Sequence, residues 1–409
     1  MTTELRPLRA GEWADWYATL ERAFGGTPET PEERNLWQRL GELERSLTVR
    51  DGNDVVGTAG AFTFRLSVPG GALVPAAGVT MVSVQPTHRR RGLLRAMMRH
   101  QLADIRDRRE PLAVLTASEP AIYGRFGYGP ATEAVSMTPD TLRLSVTAPA
   151  GADGVRLRLV DPEAALADCE KVYEQVVTGR PGMLARQPGW ERLPLLDPEA
   201  DRDGAGPLLC VLAEVAGEAR GYARYAVKAG WDGAGPDGTV VLRDMEALDP
   251  VVCAALWRYL FSIDLTSRLT VRNRPADDPL LHLVPDIRRC QVRVRESLFV
   301  RPVEVGGALA ARTYATPLDV VLDVTDTFCP WNEGRWRLTG DERGASCERT
   351  TAPADLALSV RELGSAYLGG FTLGALAAAG RVRELRPGAL RAASAAFGWH
   401  VKPWLPHGF

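Results

Sequence analysis

No apolar run in the chain approaches the roughly 18 residues needed to cross a bilayer, so no membrane span is expected. The opening stretch, MTTELRPLRAGEWADW, has no apolar core segment, so no secretory leader is expected there. Cysteine is sparse and scattered. Cys169, Cys210, Cys253, Cys290, Cys329 and Cys347 form no C-x-x-C pair, which argues against zinc and against a disulfide framework, and points to reduced thiols in a cytoplasmic protein. His88, His100, His282, His400 and His407 show no metal-ligand spacing, so no metal is expected. Charge of one sign is also lacking. The 49 basic and 51 acidic residues leave a formal net charge of −2, which gives no basis for nucleic-acid or membrane-surface binding.

What is present is a soluble globular composition in a chain of 409 residues, too long for one ordinary core, so two or three domains are expected. Residues 46–68 read as a strand, an Asp51-Gly52 turn and a second strand. AAGVTMVSV (76–84) is a further buried strand. A helix is expected from about Arg90 to Arg108, with Leu94, Met98, Leu102 and Ile105 on one face and Arg95, Arg99 and Arg106 turned away. PLAVLTA (111–117) closes the run as a short strand. The order recurs in a hairpin at 208–227 turning near Ala216-Gly217, a strand at 238–248, a helix at 250–263 and a strand at 268–273. There the turn before the helix is EALDP, without glycine or a basic run, as in a second copy that has lost its loop chemistry; an unrelated domain of similar element order is the alternative. Residues 130–157 and 187–207 suit linkers or loops. The last part is expected to be α+β: strands at 319–328 and 334–341, then helices near 356–366, 371–379 and 388–398. The fold class is therefore α/β plus α+β.

One stretch carries chemistry: VSVQPTHRRRGLLRAMMRHQL, residues 82–102. A strand ending at Pro86 delivers the chain to a loop, and the helix that follows presents its free amides and the positive end of its dipole. Gly92 allows close approach to the backbone, and Arg89, Arg90 and Arg91 add charge, a combination suited to a diphosphate. A merely solvated basic cap would oppose the helix dipole.

The spacing V-x-P-x-x-R-x-x-G (Val84, Pro86, Arg89, Gly92) resembles the coenzyme A loop of the GCN5-related N-acetyltransferases (GNAT), with Leu94 where a small residue is usual. A second element, Y-x-x-x-G-[FY], stands in AIYGRFGYGPAT as Tyr123, Gly127 and Tyr128. Together with SAYLGG (365–370) and a final phenylalanine, these stretches are similar to the enhanced intracellular survival (Eis) acetyltransferase family, most strongly over 79–132 and most thinly in the second copy. The resemblance implies tandem GNAT-like domains at 1–148 and 149–297, the second degenerate, and a sterol-carrier-protein-like domain at 298–409 that supplies the C-terminal carboxylate. It implies acetyl-CoA as co-substrate, a homo-hexamer, and acetyl transfer to primary amines of small molecules, aminoglycosides among them, by direct attack in a ternary complex.

The same resemblance places acetyl-CoA on Val82, Ser83 and Val84 through their backbone, on Arg90, Arg91, Gly92, Leu93, Leu94 and Arg95, and on Ser118 and Glu119. It makes Tyr123 the general acid, since a phenol is protonated at neutral pH and can protonate a departing thiolate. It makes the carboxylate of Phe409 the general base. WHVKPWLPHGF is costly to leave in water and is stiffened by two prolines, unlike a frayed tail. Trp37 aligns with a tryptophan at the substrate pocket, where an aromatic face holds cations, with core packing on an amphipathic helix as the plain alternative. Met81 is expected to line the same pocket. Two departures stand out: Gly408 and Gly25-Gly26 occupy places where relatives carry acids, with Glu29, Glu32 and Glu33 nearby either compensating or facing solvent. A polyamine or protein-lysine acetyltransferase would use the same chemistry. A lipid- or acyl-CoA-binding protein with a vestigial catalytic domain is the alternative of another class.

Overall fold

The structure, a computed structural model, describes residues 3–26 and 28–409. The chain divides into two compact units: residues 1–132, 297–403 and 407–409 form one, and 133–296 with 404–406 the other.

The first unit begins with β1 (Glu4–Pro7), α1 (Trp13–Ala23), α2 (Pro31–Leu40), β2 (Leu47–Asp51), β3 (Asp54–Ser67), β4 (Leu73–Val84), α3 (Leu93–Asp107) and β5 (Leu112–Thr116). Strands β1 to β4 are an antiparallel meander, and α3 carries the chain across to β5, which runs parallel to β4. Local chemistry explains the boundaries. Thr30 and Glu33 cap α2 reciprocally, with Pro31 at its first position. Gly52, at φ +60°, turns β2 into β3. The buried face of α3 is Met97, Met98, Leu102 and Ile105, and it also buries Gln101, whose amide donates to Gly60 O at 2.9 Å. The helix starts at Leu93 rather than Arg90, because Arg90 (φ +63°) and Gly92 (φ +81°) are left-handed and cannot belong to it.

Beyond β5 the sheet is completed by Leu298–Pro302, antiparallel to β5 and followed by Gly129–Pro130. All five residues of 298–302 are buried. Meanwhile Glu133–Met137, expected within the first domain and inside a 130–157 linker, is a strand of the other unit's sheet. By sheet membership the chain changes over at 132/133 and 296/297. Each of the two seven-stranded sheets takes in a strand from outside the stretch of sequence that supplies most of it.

The first unit holds a second, five-stranded sheet, ordered Ala345–Arg349, Gly334–Gly340, Leu318–Thr325, Leu356–Ser359, Val382–Glu384, with helices Val305–Ala310, Val360–Ala366, Leu373–Ala378 and Ala389–Phe397. Residues 356–359, expected to start a helix, are instead a strand parallel to 318–325. Leu356 and Leu358 alternate into the core, and the helix begins only at Val360, capped by Ser359. The two sheets of this unit are tied together by a buried ion pair. The Arg301 guanidinium donates to both Asp326 carboxylate oxygens at 3.0 and 2.7 Å and to Phe126 O at 3.1 Å. Asp326 also accepts from the Cys329 amide and the Asn332 side chain, at 3.0 and 2.9 Å. Removing one partner strands the other charge away from water. Arg301→Met is expected to cost about 3–5 kcal/mol, read as a lowered midpoint in urea denaturation.

The second unit repeats the architecture. Leu209–Val215 and Glu218–Lys228 form a hairpin turning at Ala216-Gly217, and Gly238–Ala247 runs parallel to Thr266–Pro275 across helix Pro250–Phe261. That helix is capped by Asp249, whose carboxylate accepts from Val252 N at 2.9 Å. An acid at this helix start disfavours an anion there. Among the described residues no helix is long and apolar enough to cross a membrane.

Candidate active site

The site grows from a split in the first sheet. Parallel pairing of β4 with β5 is confined to Ala76–Gly78 against Leu112–Val114. Past Gly78 the two strands part, leaving the edge of Val79–Val84 unpaired on the β5 side. The pairing of β4 with β3 also slips, with Thr58 opposite Ser83 but Gly60 opposite Thr80. This bulge puts Met81 at φ +52°. It is pinned by Thr58, whose hydroxyl donates to Met81 O at 2.7 Å and lies 2.7 Å from Ser83 Oγ. The Ser83 side chain is thus committed to the bulge and buried, so a ligand can meet this residue only through its backbone.

Directly after β4, Pro86–His88 makes a single tight turn, held by a 3.1 Å contact between His88 Nε2 and Asp51. Gly92 then opens α3 without a side-chain cap, and the first intrahelical bond runs from Ala96 N to Gly92 O. The amides of Leu93, Leu94 and Arg95 are left for a ligand. An added Cβ on Gly92 would meet nothing within 4 Å, so the left-handed φ, not lack of room, demands glycine. Arg89, Arg90, Arg91 and Arg95 are exposed, and none forms an ion pair among the described residues. An exposed, unneutralised basic loop over uncapped amides fits a diphosphate.

Tyr123 lies at the end of a short helix, Pro120–Tyr123, beyond exposed Ser118 and Glu119. It is partly buried and packs against the same apolar core as Val82 of the strand edge, Leu94 of the helix start, Ala117 and Ile122. Burial, and then the nearby Glu119 carboxylate, push its hydroxyl up to about 12. Tyr128 sits edge-on to it, with ring centroids 6.0 Å apart. The glycines of this motif have a different reason to exist. A Cβ on Gly129 would fall 2.1 Å from Arg361 O, one on Gly124 2.9 Å from the Arg361 guanidinium, and one on Gly127 2.8 Å from Val360. Helix Val360–Ala366 presses directly on the backbone after Tyr123, and the glycines make room for it.

Phe409 reaches the same sheet. Its ring packs edge-on to Phe64, 5.0 Å between centroids, and an added Cβ on Gly78 would stand 3.1 Å from it. Gly78 is the last paired residue before the split. Phe64 is followed by Phe62 at 5.8 Å and Phe62 by Trp37 at 6.2 Å, so Phe409 ends an aromatic row leading to Trp37. Trp37 and Met81 each pack against a second cluster that includes Trp13, Trp16 and Tyr17. Sequence reasoning missed Phe62, Phe64 and Gly78. The i, i+2 spacing of the two phenylalanines on a strand was the available signal. Of the acids near Gly25-Gly26, Glu29 accepts a hydrogen bond from Tyr17 at 2.5 Å, Glu33 closes the α2 cap, and Glu32 is exposed. Burial, with Glu33 and Glu21 adding to it, raises Glu29 above its ordinary value against the opposing Tyr17 bond.

Family descriptions "Acetyltransferase (GNAT) domain" match residues 4–131 and 182–302, and "Sterol carrier protein domain" matches 305–406. The chain is 64% identical to an N-acetyltransferase of Streptomyces avermitilis, with both chains fully covered. It is 37% identical over 383 residues to N-acetyltransferase Eis of Mycobacterium tuberculosis, covering 90% of each chain. The crystal structure of Eis1 from Mycobacterium abscessus is similar along the whole of both chains, with a TM-score of 0.84 at 35% identity.

Proposed function

This chain belongs to the Eis family of GNAT N-acetyltransferases, and from that premise we propose that it transfers the acetyl group of acetyl-CoA to primary amines of small molecules, aminoglycoside-like or otherwise, by direct attack in a ternary complex. The observation that carries this reading is that three features are built on one apolar core: an unpaired strand edge, an uncapped helix start beneath unpaired arginines, and a protonated phenol. Acetyl-CoA supplies an acyl thioester, the activated bond that makes transfer to an amine possible.

The residues divide the remaining work. Backbone groups of Val82, Ser83 and Val84 would hold the pantetheine arm, and the amides of Gly92 to Arg95 with Arg90 and Arg91 the diphosphate; exposed Ser118 and Glu119 would add further contacts to the coenzyme. Tyr123 keeps its proton well past neutral pH and would give it to the leaving sulfur. The Phe409 carboxylate would take a proton from the incoming ammonium, directly or through water. Trp37 and Met81 form the aromatic-lined side on which the amine is expected. Gly25-Gly26, Gly408 and the local commitment of Glu29 and Glu33 leave this side poorer in free carboxylates than a highly cationic acceptor would use. Assembly as a homo-hexamer belongs to the same reading, on family resemblance.

The test is thiol release from acetyl-CoA on addition of aminoglycosides, polyamines or lysine peptides. Amine-dependent release, with the small amines outpacing the peptides, is expected. Tight acyl-CoA or lipid binding with no amine-dependent thiol would replace this reading with a carrier function.

A further inference from the structure

Helix α3 carries more positive charge than a diphosphate at its start requires. Arg95 and Arg99, one turn apart, stand on the same face, both exposed and neither in an ion pair among the described residues. Like charges at this spacing oppose helix formation by a few tenths of a kcal/mol, so the pair needs a reason. Both guanidiniums lie over one ring: Arg95 Cζ is 5.9 Å and Arg99 Cζ 5.7 Å from the centroid of Phe328. Phe328 comes from the loop after strand Leu318–Thr325, in the sterol-carrier part of the chain, and is itself braced edge-on by Phe126 at 5.0 Å, three residues past Tyr123. A ring fixed from below limits where two long, flexible side chains can point, which lowers the entropy lost when an anion engages them.

We propose that Arg95 and Arg99, aimed by Phe328, hold the ribose 3′-phosphate of coenzyme A, so that the sterol-carrier part of the chain helps select the full coenzyme over its 3′-dephospho form. This rests on the acetyl-CoA reading above and extends it beyond the diphosphate loop to Arg99 and Phe328. Coenzyme A carries two separate anionic groups. The helix amides and the arginine loop serve the diphosphate. The phosphate monoester, close to doubly charged at neutral pH, lies outside the reach of those amides and needs cations of its own. Arg99 sits seven residues beyond Gly92, roughly 10 Å along the helix axis, past the turn where the amides are free. Further along the same helix, Arg106 stacks on Trp331 at 4.7 Å. It makes a similar contact outside the proposed subsite and serves as an internal control.

The experiment is calorimetric binding of coenzyme A and of 3′-dephospho-coenzyme A to the full chain and its variants. The wild type is expected to bind coenzyme A about tenfold more tightly than the dephospho form, the margin of one charge-assisted contact. Arg99→Ala should bring the two within about twofold by weakening coenzyme A alone, Arg99→Lys should restore part of the difference, and Phe328→Ala should narrow it. Arg106→Ala should keep the full ratio. A wild-type ratio near one, or an Arg99→Ala variant that loses both ligands equally, overturns the subsite while leaving the acetyl-CoA reading intact. Binding of neither ligand by the wild type overturns that reading, and the subsite with it.

Discussion

Tyr123→Phe is expected to lower kcat by about 10²–10⁴-fold, the usual worth of a positioned general acid, with affinity for acetyl-CoA unchanged. The substitution is unusually clean here. Among the described residues the Tyr123 hydroxyl makes no hydrogen bond, so its removal breaks none there and leaves the ring on Tyr128. Thermal stability should therefore hold while turnover collapses. The direction of the shift gives a second readout. A phenol raised to about 12 stays protonated across the accessible range, so the wild-type kcat/KM should climb with pH as the amine loses its proton and show no falling limb below about pH 10. Wild-type-like turnover in Tyr123→Phe, measured by thiol release, would remove the general-acid role.

Appending a single residue after Phe409 is expected to cost about 10²-fold in kcat with little change in the melting temperature. The extension turns the Phe409 carboxylate into an amide and carries the charge onward, yet the ring can keep its place against Phe64 and Gly78. Deleting Phe409 is a blunter change, since it removes the ring as well. The pair of variants separates chemistry from packing: if extension and deletion impair turnover equally while only deletion lowers stability, the charge is what turnover needs. Full activity in the extended chain would show that the carboxylate plays no part.

Much of the first sheet was legible because its signals are local. Alternation around Asp51-Gly52, the apolar run at 76–84 and the three-four spacing of Leu94, Met98, Leu102 and Ile105 each fix an element without reference to the rest of the chain. The start of α3 was misplaced by a turn because nothing in periodicity reports a left-handed arginine at 90. At 356–359, four residues of a parallel strand run straight into a helix, and a short apolar segment of that kind reads either way. Which sheet a strand joins is less legible still. Glu133–Met137 and Leu298–Pro302 look the same wherever they pair, because partner choice is made by distant edges. For the candidate site, the motifs pointed to Tyr123 and to residues 90–95. They could not reveal that the glycines after Tyr123 exist to admit a helix some 230 residues later, nor that Arg95 and Arg99, expected to face away, rest on Phe328.

The exchanged strands also dictate a schedule for biosynthesis. A nascent chain that has just cleared residue 132 already owns β1 to β5, but the open flank of β5 stays bare until residues 298–302 emerge. At ordinary translation rates that wait is on the order of ten seconds. A truncation at either apparent boundary makes it permanent, leaving an unpaired edge of the kind that drives self-association.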